Sequence, residues 1–355
     1  MEEPINLLDY ESLASEKLPR PALDYYAGGA WDELTVRNNR TAFAGYRLRP
    51  RMLVDVSRRD LRGSILGQAV TAPILIAPTA FHCLAHPQGE VATARAASAF
   101  GTILVLSTLS TRSMEEVAQG GGGGPRWFQL YVHRDRGLTR ALVERAEAAG
   151  YSALCLTVDA PVLGVREKDR RNSFTLPAGM SLANLRNIKV PECEGESALF
   201  AYVAQQFDPS LTWRDIDWLR SITKLPVAVK GILRADDAAR AVDHGASAIV
   251  VSNHGGRQLD GAIATIDAVG EVCAAAGHTT EVLMDGGVRR GTDVLKALAL
   301  GAKAVLIGRP VLWGLAVNGE AGVLHVLQIL KDELDASMAL CGCPLVKDID
   351  RSLIA

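Results

Sequence analysis

The chain has 355 residues, 48% of them hydrophobic and 22% charged, with a formal net charge of −2. This composition supplies a large core and gives no electrostatic support to nucleic-acid binding. The longest apolar runs, such as 72–80, are short and interrupted by proline, and Met1-Glu2-Glu3-Pro4 lacks a charged start and apolar stretch, so neither a membrane span nor a secretion signal is expected.

The six cysteines (Cys83, Cys155, Cys193, Cys273, Cys341 and Cys343) show neither paired zinc spacing nor the density of a disulfide scaffold. Reduced thiols and no metal site are expected, with Cys155 packed in an apolar run. A helical pattern covers Ile5 to Leu18, and Pro19 ends it. Gly28 and Gly29 then close whatever Leu23 starts. Of the adjacent Tyr25 and Tyr26, one ring is expected to be buried and one exposed. The stretch from Phe43 to Val56 interleaves Arg47, Arg49 and Arg51 with apolar residues, which fits a strand or extended segment across a barrel end.

Beyond it the chain alternates regularly. Strands are predicted at Ile74 to Ala77, Ile103 to Leu106, Trp127 to Val132, Ala153 to Val158, Val227 to Lys230, Ile249 to Ser252, Val282 to Asp285 and Ala304 to Ile307. Alanine-rich helical patterns lie between them, and a final helix is predicted over Gly322 to Leu340. Eight strand-then-helix repeats without hairpin signals predict an α/β fold of the parallel (β/α)8 TIM barrel type, as one domain over residues 1–355 with an N-terminal helical segment. Two stretches break the rhythm. Gly120 to Gly124 reads as a flexible loop before a strand. The long loop after strand four, 160–197, reads as an active-site lid because it leaves the C-terminal end of a strand.

The most informative stretch is Ala248 to Asp260, where a β-branched run stops at Ser252-Asn253-His254-Gly255-Gly256-Arg257. His254 titrates near neutral pH, glycine permits close backbone approach, and Arg257 can grip a carboxylate with two parallel bonds. Strand ends seven and eight place Asp285, Gly286, Gly287 and Arg289 beside Gly308 and Arg309, the combination of backbone donors and positive charge that binds phosphate in barrels. A phosphorylated ligand is therefore expected. No Gly-x-Gly-x-x-Gly fingerprint occurs, so a nicotinamide dinucleotide lacks support.

The remaining groups suit oxidation of a hydroxy acid. His254, held by a buried carboxylate such as Asp159, would act as base. Arg257 with Arg166 would orient the substrate carboxylate, and a hydroxyl from Tyr25 or Tyr131 would hold the substrate oxygen. Lys230 emerges from an apolar strand and needs an anion to face, for which a reduced flavin qualifies.

These residues carry a resemblance. The stretch Ser252 to Asp260, Leu283-Met284-Asp285-Gly286-Gly287-Val288-Arg289-Arg290-Gly291-Thr292-Asp293 and Ile307-Gly308-Arg309-Pro310 make the chain similar to the FMN-dependent 2-hydroxy-acid oxidases, which include glycolate and lactate oxidases. The resemblance implies FMN contacts from Ala77, Pro78, Thr79, Ser107, Gln129, Tyr131, Thr157, Lys230, Ser252, Asp285, Gly286, Gly287, Arg289, Gly308 and Arg309. It implies substrate contacts from Tyr25, Tyr131, Arg166, His254 and Arg257, and catalytic roles for His254, Asp159, Tyr131 and Lys230.

Within the resemblance, plant-type glycolate oxidases carry tryptophan where this chain has Leu109, whereas Thr79 is glycolate-oxidase-like. The expected substrate is lactate, with glycolate also accepted and O2 reduced to H2O2. The alternatives are transfer to a quinone or cytochrome, or an FMN barrel that isomerises. Whether hydrogen leaves carbon as proton or hydride stays open. A homotetramer is expected. The ending Leu353-Ile354-Ala355 lacks Ser-Lys-Leu, so a cytoplasmic location is expected, or a peroxisomal one if a native tail is missing.

Overall fold

The computed structural model describes residues 3–185, 202 and 205–355. It opens with α1 (Leu7–Lys17), α2 (Arg20–Ala27) and α3 (Leu34–Thr41). Asn6 caps α1 by accepting from Leu8 and Asp9 amides, and Pro21 sits in the first turn of α2, where no intrahelical donor is lost. Helix α3 has little apolar periodicity and was not expected. Its support is external: the Asp260 carboxylate accepts from the Leu34 and Thr35 amides at its N-terminus, at 3.2 and 2.8 Å.

One expectation about this region needs correction. Tyr25 and Tyr26 are both buried, at 5% and 4% exposure, because α2 lies between the barrel rim and the aromatic rings of Phe81 and Phe174. Of the two alternatives for Phe43 to Val56, the strand does not form. The segment holds a 3-10 turn (Ala42–Gly45) and a single antiparallel bridge from Leu48 to Ile354.

A hairpin that the sequence reading missed follows, β1 (Gly63–Ile65) with β2 (Gln68–Val70). Its turn residues Leu66 and Gly67 both have positive φ, 45° and 76°, the requirement of the tight turn that matches strand twist. Ile65, Leu66 and Val70 pack with the interior side chains of the barrel, at the end opposite the strand tips, and the Leu66 amide is held by Glu281.

The barrel itself closes as predicted. Its strands are β3 (Ile74–Ile76), β4 (Leu104–Leu106), β5 (Arg126–Leu130), β6 (Ala153–Thr157), β7 (Val227–Ile232), β8 (Ala248–Val251), β9 (Glu281–Asp285) and β10 (Ala304–Ile307), all parallel, with β10 pairing back to β3. Alternation sorts the side chains. Leu75, Val105, Trp127, Cys155, Val250, Leu283 and Leu306 point inward, while Ile76, Leu106, Phe128, Leu156, Val251 and Ile307 meet the surrounding helices. Cys155 is thus core packing, and burial pushes its thiol up to about 12.

In β7 the register shifts between Lys230 and Ile232, with Gly231 at φ +116°. A Cβ on Gly231 would lie 2.7 Å from the Asp159 Cβ, so this bulge lets the ends of β6 and β7 close together.

The segment after β6 is more ordered than a structureless loop. It forms a helix at Glu167–Arg171 and a 3-10 turn at Ala183–Leu185, and residues 186–197 of the expected lid lie outside the described residues, as does Cys193. The stretch Arg309–Cys341 is two helical segments meeting at non-helical Asn318 and Gly319; the second matches the final helix expected over Gly322 to Leu340 and the first was not expected. At the junction Gly314 and Gly322 approach so closely that a Cβ on either would strike the other's carbonyl. Taken as one helix, the stretch is the one described that is long and apolar enough to cross a membrane, yet it packs as a core helix against α1 and the helices at Gly89–Phe100 and Gly291–Ala299.

Candidate active site

The loops at the C-terminal ends of the barrel strands line a partly open cavity. Of the expected site residues, all but two line it. The exceptions are Asp159, which stands behind His254, and Ser252, which is fully buried and serves the wall from behind. The Ser252 hydroxyl accepts from Lys230 Nζ at 2.7 Å and from the His254 amide at 3.1 Å.

His254 Nδ1 lies 2.8 Å from Asp159 Oδ1. An ionised carboxylate can only accept, so Nδ1 carries the hydrogen and Nε2 is the basic nitrogen. Burial pulls the imidazole below its ordinary value against the opposing pull of Asp159, so the ring is neutral at pH 7. Burial alone would raise Asp159, but the attraction of His254 once protonated, the hydrogen bond from its ring and the charge of Lys230 outweigh it and hold the carboxyl below the usual range. The His254 backbone has φ +58° and is followed by Gly255 and Gly256 at +63° and +78°, a left-handed turn.

Arg257 and Arg166 face the same cavity. Arg257 stacks over the Tyr25 ring at 4.8 Å, and its Nη1 donates to the Tyr25 and Gly28 carbonyls at 2.6 and 2.8 Å. Arg166 is buried with two long contacts, 3.5 Å to the Arg257 carbonyl and 3.9 Å to Asp169. Burial, with Arg257 beside it, lowers its guanidinium to about 10. Tyr131 stacks on Phe207 with centroids 4.4 Å apart, and burial together with Asp159 raises its hydroxyl well above 10, so it stays a neutral donor.

Across the cavity, Ser107, Gln129 and Thr157 form a chain of hydrogen bonds over the tips of β4, β5 and β6. Gln129 Nε2 donates to Thr157 at 3.1 Å, while its carbonyl accepts from Ser107 and the Thr108 amide. Lys230 pairs with Asp285 at 3.1 Å. Burial opposes its charge, but Asp285 and Asp159 outweigh that and keep the ammonium protonated.

The loops after β9 and β10, the expected phosphate site, have a geometry that fits an anionic cofactor. Gly286 and Gly287 have φ of +96° and +87°, and a Cβ on Gly287 would sit 1.8 Å from the Asn39 carbonyl oxygen. Only glycine meets that backbone. Arg289 Nε and Asp285 Oδ1 are buried with no hydrogen-bond partner. Arg289 lies over Trp313 at 4.7 Å, and burial lowers it to about 10. Arg309 donates to the carbonyls of Tyr26, Gly255 and Gly28, and burial with the neighbouring arginines lowers it to about 9. Lys230, Arg166, Arg257, Arg289 and Arg309 thus surround a cavity whose nearby carboxylates are chiefly Asp159 and Asp285. Such an excess of buried positive charge calls for anions.

The sequence reading missed part of the apolar wall. Leu163 and Phe207 line the cavity with Leu109, and Gln258, inside a stretch already singled out, ties the 160s to the His254 loop by donating to the Asp159 and Val162 carbonyls. Phe207 follows the long segment after β6, where no periodicity marks it.

Fold and site together define a (β/α)8 barrel built around a phosphate-bearing cofactor and a second, carboxylate-bearing ligand. Residues 14–355 match the FMN-dependent dehydrogenase family, and the chain belongs to it; its cofactor is FMN. It is 62% identical to an L-lactate oxidase of Nostoc sp. over 99% of this chain and 98% of that one. It is 53% identical to glycolate oxidase of Spinacia oleracea, with 99% and 95% covered. A crystal structure of mandelate oxidase with (S)-4-hydroxymandelic acid superposes with a TM-score of 0.93 at 45% identity, covering 97% of each chain.

Proposed function

We propose that this chain is an FMN-dependent (S)-2-hydroxy-acid oxidase whose preferred substrate is lactate, with glycolate also accepted. The observation that carries the reading is the placement around one cavity of a neutral, Asp159-held imidazole, the buried and weakly partnered Arg166, and Arg257, whose Nε and Nη2 remain available. FMN, when bound, supplies the two-electron acceptor and returns the electrons to O2, giving hydrogen peroxide.

The protein does the rest. Arg257 and Arg166 bind and orient the substrate carboxylate, each with hydrogens to spare. The Tyr131 hydroxyl, kept neutral, donates to the substrate oxygen, and Tyr25 closes the same side against Phe174. His254 takes the substrate proton at Nε2, and Asp159 stabilises the imidazolium that results. Ala77, Pro78, Thr79, Ser107, Gln129, Tyr131, Thr157, Lys230, Ser252, Asp285, Gly286, Gly287, Arg289, Gly308 and Arg309 would hold FMN, Lys230 offsetting the negative charge of its ring and Arg289 and Arg309 that of its phosphate. Leu109, Leu163 and Phe207 form an apolar wall for a small alkyl group, which supports lactate.

The chain is read as one FMN-binding domain, with residues 160–185, which carry Arg166, covering the site. Met52, Leu53 and Leu340 are exposed on segments joined by the bond from the Arg51 amide to the Cys341 carbonyl, which supports self-association, taken here as a homotetramer. Free thiols at Cys341 and Cys343 support a reducing, cytoplasmic location. The direct test is anaerobic mixing of the holoenzyme with L-lactate, glycolate and mandelate. Bleaching of the flavin spectrum, fastest with L-lactate and followed by one peroxide per oxidised acid on admitting air, is the expected result. No bleaching with any of them would overturn the reading.

A further inference from the structure

We propose that Asn39 and Asn253 act as one positioning unit, which fixes the backbone carrying His254 and Arg257 and locks it to the loop after β9. The proposal rests on the reading of His254 as base.

The starting point is strain. His254, Gly255 and Gly256 form three successive left-handed residues, a conformation unfavourable at the histidine and poorly able to sustain itself. One local bond, from the Gly256 amide to the Asn253 carbonyl at 3.0 Å, closes the turn. The Ser252 hydroxyl holds the His254 amide, and Arg309 and the Ala30 amide hold the Gly255 and Gly256 carbonyls; what ties the turn to α3 through side chains is Asn253, which is 4% exposed and uses its full hydrogen-bonding capacity. Its Oδ1 accepts from Asn39 Nδ2 at 2.7 Å and from the Gly256 amide at 3.2 Å. Its Nδ2 donates to Asn39 Oδ1 at 2.8 Å and to the Ile263 carbonyl at 3.0 Å. The two carboxamides therefore pair reciprocally, and Asn39 Oδ1 also accepts from the Thr265 amide at 3.4 Å. Both ends of the 253–265 loop are thus tied to a single side chain of α3.

Helix α3 is tied to the loop a second time. Asp260 caps its N-terminus, and a Cβ on Gly256 would lie 2.6 Å from the Val36 amide nitrogen. Asn39 also reaches the neighbouring loop, since its backbone oxygen occupies the space beside Gly287. A buried polar network with every member satisfied holds one geometry. Here that geometry joins the imidazole that takes the proton to the glycines that admit the cofactor.

The experiment compares holoenzymes carrying Asn39→Ala, Asn253→Ala and both. For each single variant kcat/KM for L-lactate falls about 10- to 100-fold, as for a base moved by an ångström or less. The double variant loses no more than about threefold beyond the worse single one, because the pair acts as a unit. A readout independent of turnover is the His254 imidazole resonance, assigned by its disappearance in His254→Gln. Its titration midpoint rises towards the free-histidine value in both single variants as the ring escapes its buried pocket. Losses that multiply in the double variant, an unmoved His254 midpoint, or a loss fully explained by a lowered thermal midpoint would each overturn the proposal. Failure of the wild-type flavin to bleach with lactate would instead sink the oxidase reading, and the His254 titration would still decide the role of the pair.

Discussion

Replacing Arg257 by methionine separates acid binding from cofactor binding. Methionine keeps an unbranched stem to pack on Tyr25 and removes only the planar cation. In the structure Arg257 Nη1 is committed to two backbone carbonyls, which leaves the Nη2 and Nε hydrogens for a carboxylate. Charge-assisted hydrogen bonds contribute about 1.5–3 kcal/mol, so the Kd for pyruvate or another carboxylate analogue should rise roughly 10- to 150-fold. The Gly28 carbonyl keeps Arg309 as a partner, but the Tyr25 carbonyl is left without one. That orphan costs about 1–3 kcal/mol of stability, visible as a lowered thermal midpoint. Spectral titration of the holoenzyme with the analogue and fluorescence titration of apoenzyme with FMN measure the two affinities. The expected outcome is a large loss for the acid and a change of less than about threefold for FMN, within the small coupling expected of separate sites. Equal losses of both would refute the assignment of Arg257 to the acid.

Asp159→Asn removes the charge that raises His254, so the acid limb of kcat/KM moves to lower pH while kcat falls about 10²- to 10⁴-fold; movement of the limb to higher pH would contradict the pairing. Gly287→Ala combines an unfavourable φ of +87° with a Cβ 1.8 Å from the Asn39 oxygen, and FMN affinity measured by fluorescence should drop by about tenfold or more. Leu109→Trp fills the apolar wall, and the ratio of kcat/KM for lactate over glycolate should fall about 10-fold or more, within the 1–3 kcal/mol range of one methylene. His133 is held at about 4 by burial, so the unfolded chain takes up a proton first as pH drops through 6.5. Stability associated with this group is complete above pH 6.5 and lost towards pH 4, about 3 kcal/mol in all, and denaturant titrations of His133→Asn should lack that component.

The barrel was legible because its signal is local and repeated: short β-branched runs ending in polar residues, spaced by alanine-rich helices. The tips followed from the strands, so Lys230, His254, Asp285 and Arg309 could be placed on one rim without coordinates. What escaped detection depends on contacts between distant segments. Helix α3 has a polar sequence and exists because Asp260 caps it from more than two hundred residues away. The Leu66-Gly67 turn carried a weak glycine signal, overshadowed by the parallel pattern around it. That Ser252 stands behind the cavity wall was not legible, because sequence gives the strand end but not which way a side chain leaves it. Gly231, a glycine inside a strand, was the available sign of the bulge that brings Asp159 into place.

One peptide oxygen, that of Gly28, receives a guanidinium hydrogen from Arg257 on one side and from Arg309 on the other. A carbonyl held from both sides cannot turn toward either, so this single oxygen fixes the two guanidiniums relative to each other and keeps the acid end of the site in register with the phosphate end.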